Sequence, residues 1–136
     1  MPFTDTDEPL VLGLRRSALL RPGSRVLVAV SGGPDSTALL VAVREQGFDL
    51  VAAHYDHALQ PGSQAAAEHV ARLCREPDIE LVGERRTSPV PHGSVQAGAR
   101  TLRYDFLERA RVSAAADVVA LAHTAGAVVA IVGDEC

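Results

Sequence analysis

The chain contains no lysine: its 13 basic residues are all arginine, set against 17 acidic ones, for a formal net charge of -4. An acidic balance is a poor footprint for a stand-alone nucleic-acid binder, because contacts to phosphate supply most of that affinity. Without lysine there is also no Walker loop of the form GxxxxGK[ST], and the dinucleotide pattern GxGxxG is missing too. Cysteine is scarce. Cys74 and Cys136 lie far apart and form no CxxC pair, which argues against a disulfide framework and against a zinc site. The acidic start MPFTDTDEP lacks the basic-then-apolar pattern of a secretory leader, and no apolar run is long enough to span a membrane. A cytoplasmic, soluble protein is expected. There is no internal repeat and no low-complexity tract.

What is present suits a single domain over residues 1–136. At 47% hydrophobic residues the chain can build a real core, which excludes disorder as its main character. Residues 8–20 read as a short helix, ended at Arg21-Pro22-Gly23-Ser24. The run RVLVAV at 25–30 is continuous and β-branched, as in a strand covered on both faces. Residues 36–46 follow as a helix closed by Gly47, then 49–55 (DLVAAHY) as a second strand. After a loop at 57–62, Ser63 is placed to cap a helix running to about Arg75, which Pro77-Asp78 stops.

Residues 80–84 form a shorter third strand, and 87–93 a surface loop with two prolines. Ser94 caps the longest helix, to about Ser113, with Val95, Ala99, Leu102, Phe106 and Ala110 on one buried stripe. Residues 117–122 (DVVALA) are a fourth strand. The alternation predicts an α/β fold: a parallel sheet of four or more strands with helices on both faces. The tail 127–132 (AVVAIV) favours a strand but follows too closely for a parallel crossover. It is left with an antiparallel hairpin at the sheet edge, a short helix, or no regular structure. An open edge there would promote self-association.

The chemistry sits at Ser31-Gly32-Gly33-Pro34-Asp35-Ser36, between a buried strand and a helix. Open α/β sheets bind ligands at this rim. Glycines let backbone amides approach an anion closely, the helix N-terminus favours phosphate, and the hydroxyls of Ser31 and Ser36 add donors. Asp35 is a carboxylate suited to Mg²⁺ beside phosphates. The run is similar to SGGxDS, the pyrophosphate loop of the N-type ATP pyrophosphatases. That resemblance implies the adenine nucleotide alpha hydrolase-like fold with the first strand central, and ATP and Mg²⁺ as the groups bound. Asp35 is then the metal-positioning, catalytic residue.

Three further stretches resemble the tRNA(Ile)-lysidine synthases in order and approximate spacing. They are His54-Tyr55-Asp56-His57-Ala58-Leu59-Gln60-Pro61-Gly62-Ser63, with Glu68 in the next helix; Ala99-Arg100-Thr101-Leu102-Arg103-Tyr104; and Ala122-His123-Thr124-Ala125. The likeness spans roughly residues 10–125. It implies a ligase that uses ATP, giving AMP and pyrophosphate, to attach free lysine to the wobble cytidine of tRNA(Ile). His57, Arg100, Arg103 and His123 are the implied substrate contacts. From the residues alone, His57 reads either as a site residue on the phosphate-loop rim or as a solvated loop histidine. Arg100 and Arg103 share a helix face as phosphate or RNA contacts, or as a solvated stripe near Glu108.

Two departures qualify the likeness. Gln60 stands where that family usually has arginine, and Gly126-Ala127-Val128-Val129-Ala130 replaces a segment with two acidic residues; the next carboxylate is Asp134. The expectation is a domain truncated or divergent after about residue 125, binding ATP as an incomplete form. Two alternatives stand beside it: another ATP pyrophosphatase of this type, such as a tRNA thiolase or an amide-forming synthetase, and a non-catalytic nucleotide-binding module.

Overall fold

The computed structural model describes residues 23–87, 89, 94–122 and 129–133, the last group by backbone alone. The expected helix at 8–20, His123, Asp134 and Cys136 lie outside the described residues. The elements run β1 (Arg25–Ala29), α1 (Pro34–Glu45), β2 (Asp49–Asp56), α2 (Ser63–Arg75), β3 (Glu80–Arg85), α3 (Val95–Ser113), β4 (Val118–Ala122) and β5 (Val129–Gly133). The sheet order is β3-β2-β1-β4-β5, so β1 is central as expected. The first four strands are parallel, and β5 pairs antiparallel with β4, from Val118 opposite Gly133 to Ala122 opposite Val129. Of the three outcomes open to the tail, the edge hairpin is the one adopted.

The two-residue period of the strands sorts their side chains between two cores. Val26, Val28, Ala52, Val118 and Ala120 pack on one face with Leu39, Val43 and Val70 of α1 and α2. Leu27, Val51, Ala53, Val119 and Leu121 pack on the other with Phe106, Leu107 and Ala110 of α3. Helices therefore cover both faces, and the strands must be apolar on both. At the N-terminal ends of the strands Arg25 acts as a clamp. Its guanidinium donates to the Ala114 carbonyl at 2.7 Å, to Asp49 at 2.9 Å and to Glu80 at 3.3 Å, while its amide donates to Asp117 at 2.8 Å. No helix among the described residues is long and apolar enough to cross a membrane.

Three local expectations need correction. Helix α1 starts at Pro34 rather than Ser36, because proline suits the first helical position, where no amide partner is needed. Ser63 does not cap α2: Gly62 occupies that position, Ser63 is the first helical residue, and its hydroxyl bonds Asp56. The expected α3 stripe holds only toward its C-terminal half. Val95 is 58% exposed, whereas Gly98, Phe106, Leu107, Ala110 and Arg111 are buried. The first turn of α3 leaves the apolar face of the sheet, so the period continues there without a core to meet. Ser94 does cap α3, accepting from the Ala97 amide at 3.0 Å.

Candidate functional site

A cleft of about 450 Å³ opens at the C-terminal ends of β1, β2 and β4. Its wall includes Ser31, Gly33, Pro34, Asp35 and Ser36 of the expected loop. Gly32 has φ +101°, a conformation that side chains rarely adopt, and a Cβ there would come within 3.6 Å of Ala66. Gly33 is different: it is extended (φ -86°, ψ 173°), and a Cβ would meet only the Ser31 hydroxyl at 3.6 Å. Backbone geometry thus requires glycine at the first position alone. At the second, the small residue leaves the approach to the loop open.

The loop is tied to itself. The Ser31 amide donates to Ser36 Oγ at 3.0 Å, the two hydroxyls lie 3.0 Å apart, and the Gly33 amide donates to Ser31 Oγ at 3.2 Å. Thr37 Oγ1 donates to the Gly33 carbonyl at 2.8 Å. Past Pro34, the amides of Asp35 and Ser36 begin α1 and have no intrahelical acceptor. Asp35 is exposed on the cleft in the first turn. The set fits a phosphate chain with its magnesium: open helix-terminal amides, two hydroxyls, and one carboxylate, which suffices because Mg²⁺ takes most remaining ligands from water and phosphate. Among the described residues no three His, Cys, Asp or Glu side chains cluster to form a metal site of their own, and Cys74 is buried in the core.

The β2 end adds His54 and Asp56, which belong to the stretch 54–63 that resembles the lysidine synthases but are not among the expected site residues. His54 is buried and donates from Nδ1 to the Val30 carbonyl at 2.7 Å. Asp56, also buried, accepts from the Ala58 amide at 2.9 Å and lies 3.6 Å from Arg85. Burial alone would raise its pKa. The Ser63 hydroxyl, the Ala58 amide and the charge of Arg85 outweigh burial and hold it below the ordinary carboxylate range. Ala58 takes a left-handed φ of +56°, and Arg86 holds the same turn through the carbonyls of His57 and Ala58. A polar pair inside DLVAAHYD was the available signal, since a buried strand seldom carries unpartnered polar groups.

A second cavity of about 710 Å³ adjoins the first. Tyr55, His57, Arg103 and Ala122 line both, and Gln60, Arg100 and Tyr104 line the second. His57, Arg100 and Arg103 are therefore brought together. His57 Nδ1 accepts from the Leu59 amide at 3.0 Å, which leaves the proton on Nε2. The guanidinium groups of Arg100 and Arg103 lie 5.2 and 5.3 Å from the Tyr104 ring centre. Glu108 pairs with Arg111 instead, at 2.6 Å. Tyr104 itself is partly buried and packs against the α3-side core.

Comparison with known proteins bears on the family and the fold. The PP-loop domain family matches residues 11–130. The tRNA(Ile)-lysidine synthase of Rhizobium meliloti is 42% identical over 107 residues, 74% of this chain and 24% of that protein. Its counterpart from Porphyromonas gingivalis is 40% identical over 121 residues, covering 82% and 26%. The chain thus spans about a quarter of the length of these relatives. Among solved structures, the U34-tRNA thiolase NcsA of Methanococcus maripaludis superposes with a TM-score of 0.73 at 17% identity, covering 88% of this chain and 44% of that one. The NH3-dependent NAD synthetase of Campylobacter jejuni gives 0.56 at 17% identity, with coverage of 84% and 52%. At such identities these two share the fold. With its loop, its parallel sheet with β1 at the centre and the match over residues 11–130, the chain belongs to the PP-loop domain family.

Proposed function

We propose that this chain is the ATP-handling part of a tRNA(Ile)-lysidine synthase, and that Ser31, Gly32, Gly33, Pro34, Asp35 and Ser36 bind the phosphates of ATP. The observation that carries this is the loop itself: Gly32 at φ +101° turns it into the N-terminus of α1, on a cleft at the C-terminal rim of the parallel sheet. The identity of about 40% to lysidine synthases supports the choice of reaction.

In that reaction the C2 oxygen of the wobble cytidine attacks the α-phosphorus of ATP, and pyrophosphate leaves. The amine of free lysine then attacks C2, the C2–O bond breaks, AMP departs with the oxygen, and the amine proton passes to solvent. The amides of Asp35 and Ser36 and the two serine hydroxyls face the departing pyrophosphate, where developing charge most needs donors. Asp35 is the residue that would hold Mg²⁺, whose role when bound is to neutralise that charge. Arg100, Arg103 and His57 line the adjoining cavity, and in this reading they would contact the RNA nucleotide.

The stretch from Gly126 to Ala130 carries no carboxylate, so the reading includes ATP binding without completed lysidine formation. An ATP–pyrophosphate exchange assay with tRNA(Ile) and lysine, run beside calorimetry with Mg-ATP, tests both parts. Binding of Mg-ATP without lysidine product is the expected result. Absence of ATP binding by the folded chain refutes the site, and lysidine formation well above background refutes the incompleteness.

A further inference from the structure

His54 is only 8% exposed and lines the cleft with the phosphate loop, yet half of its ring is unsatisfied. The Val30 carbonyl, 2.7 Å from Nδ1, offers only lone pairs, so Nδ1 carries a proton. Nε2 is buried with no hydrogen-bond partner among the described residues. A buried polar atom of this kind is costly and calls for a partner. The same Val30–Ser31 peptide presents its amide to Ser36 Oγ at 3.0 Å, so His54 grips the backbone unit from which the loop starts.

Phosphate oxygens only accept hydrogen bonds. With a carbonyl on one ring nitrogen and an anion near the other, one protonation state serves both, the imidazolium. The loop otherwise offers neutral amides and hydroxyls, and the chain has no lysine to supply a charge. Among the described residues, the other side chains on the cleft wall that carry or can gain charge near neutral pH are Asp35, Asp56, His57 and Arg103. Asp56 on β2 and Asp35 on α1 are negative, and Arg85 of β3 is 3.6 Å from Asp56. α2 contributes only Ser63 and Ala66 to the wall, β1 and β4 contribute neutral residues, His57 is held in one tautomer by Leu59, and Arg103 of α3 also faces the second cavity.

We propose that His54 takes up a proton as the phosphates of ATP enter the cleft, and that its imidazolium supplies the positive charge the lysine-free loop lacks. This rests on the ATP reading above. The mutual Ser31–Ser36 contacts exchange for phosphate contacts as the ligand arrives, and the Nε2 proton gains an acceptor in the same step.

Calorimetry of Mg-ATP and of inorganic pyrophosphate binding to the full chain, in two buffers of different protonation enthalpy, counts the protons taken up. His54→Gln keeps a donor but cannot become charged, so its difference from the unaltered chain removes the ligand's own protonation. The unaltered chain should take up more protons, toward one per ligand. Its affinity should fall more steeply as pH rises, approaching about tenfold per pH unit. Nitrogen NMR of the imidazoles in the unaltered chain gives a readout that needs no variant: with ligand at about pH 8, both nitrogens of His54 should carry protons. Equal proton counts in the two proteins, or a bare Nε2 in the bound state, overturns the inference and leaves ATP binding standing. No binding of either ligand by the unaltered chain overturns both.

Discussion

Ser36 Oγ sits 3.0 Å from both the amide nitrogen and the hydroxyl of Ser31, so one side chain closes the turn between β1 and α1. Ser36 is buried, whereas Ser31 is exposed. Replacing Ser36 with alanine removes the hydroxyl proposed to donate to phosphate and frees the Ser31 amide. Mg-ATP affinity should drop by about tenfold, the loss of one well-placed hydrogen bond of about 1.4 kcal/mol. Calorimetry measures it, and an unchanged affinity in the folded variant would remove Ser36 from the site.

The two loop glycines should respond in opposite ways. Gly32→Ala places a side chain at φ +101° and should cost about 1–3 kcal/mol of stability. Gly33→Ala fits the extended backbone, so thermal unfolding should barely change. Gly33→Val should leave the fold intact and weaken ATP binding, because its branches enter the phosphate approach. Equal thermal shifts in the two alanine variants would contradict the distinction.

Arg25→Ala should destabilise the fold by about 1–3 kcal/mol without altering the loop. The side chain joins residues beside β4, at the start of β2 and at the start of β3. Arg25→Lys should recover only part, since a single ammonium cannot meet the Ala114 carbonyl and two carboxylates in the same fork geometry. Urea denaturation reports the loss. ATP affinity should stay unchanged, as the clamp lies at the opposite end of the sheet from the cleft.

Asp56 predicts an acid-side dependence. Its folded pKa is held below the unfolded value of 3.8, so its contribution to stability is complete above that value. The contribution is lost as pH falls through the folded pKa. The stability difference between the unaltered chain and Asp56→Asn should therefore be flat near neutrality and shrink below about pH 4. Unfolding free energies measured across that range check it; a difference that instead shrinks as pH rises would reverse the sign and refute it.

Much of this protein was legible in the residues alone. Apolar runs such as RVLVAV marked strands covered on both faces, Ser94 marked a helix start, and Ser31-Gly32-Gly33-Pro34-Asp35-Ser36 marked the loop. These signals are local: side-chain period, cap chemistry and glycine conformation act over a few neighbouring residues. The brevity of the link before 129–133 likewise ruled out a parallel crossover, but only the fold chose the antiparallel edge over a helix. Tertiary structure also decided that His54, 24 residues from Val30, holds the carbonyl where the loop begins, and that Arg25 reaches Ala114, 89 residues away. It decided that Arg103 and His57 stand on a wall shared by two cavities, while Val95, on the right helical period, faces away from the core. Those relationships depend on which elements the sheet order makes neighbours, and no short-range pattern records that.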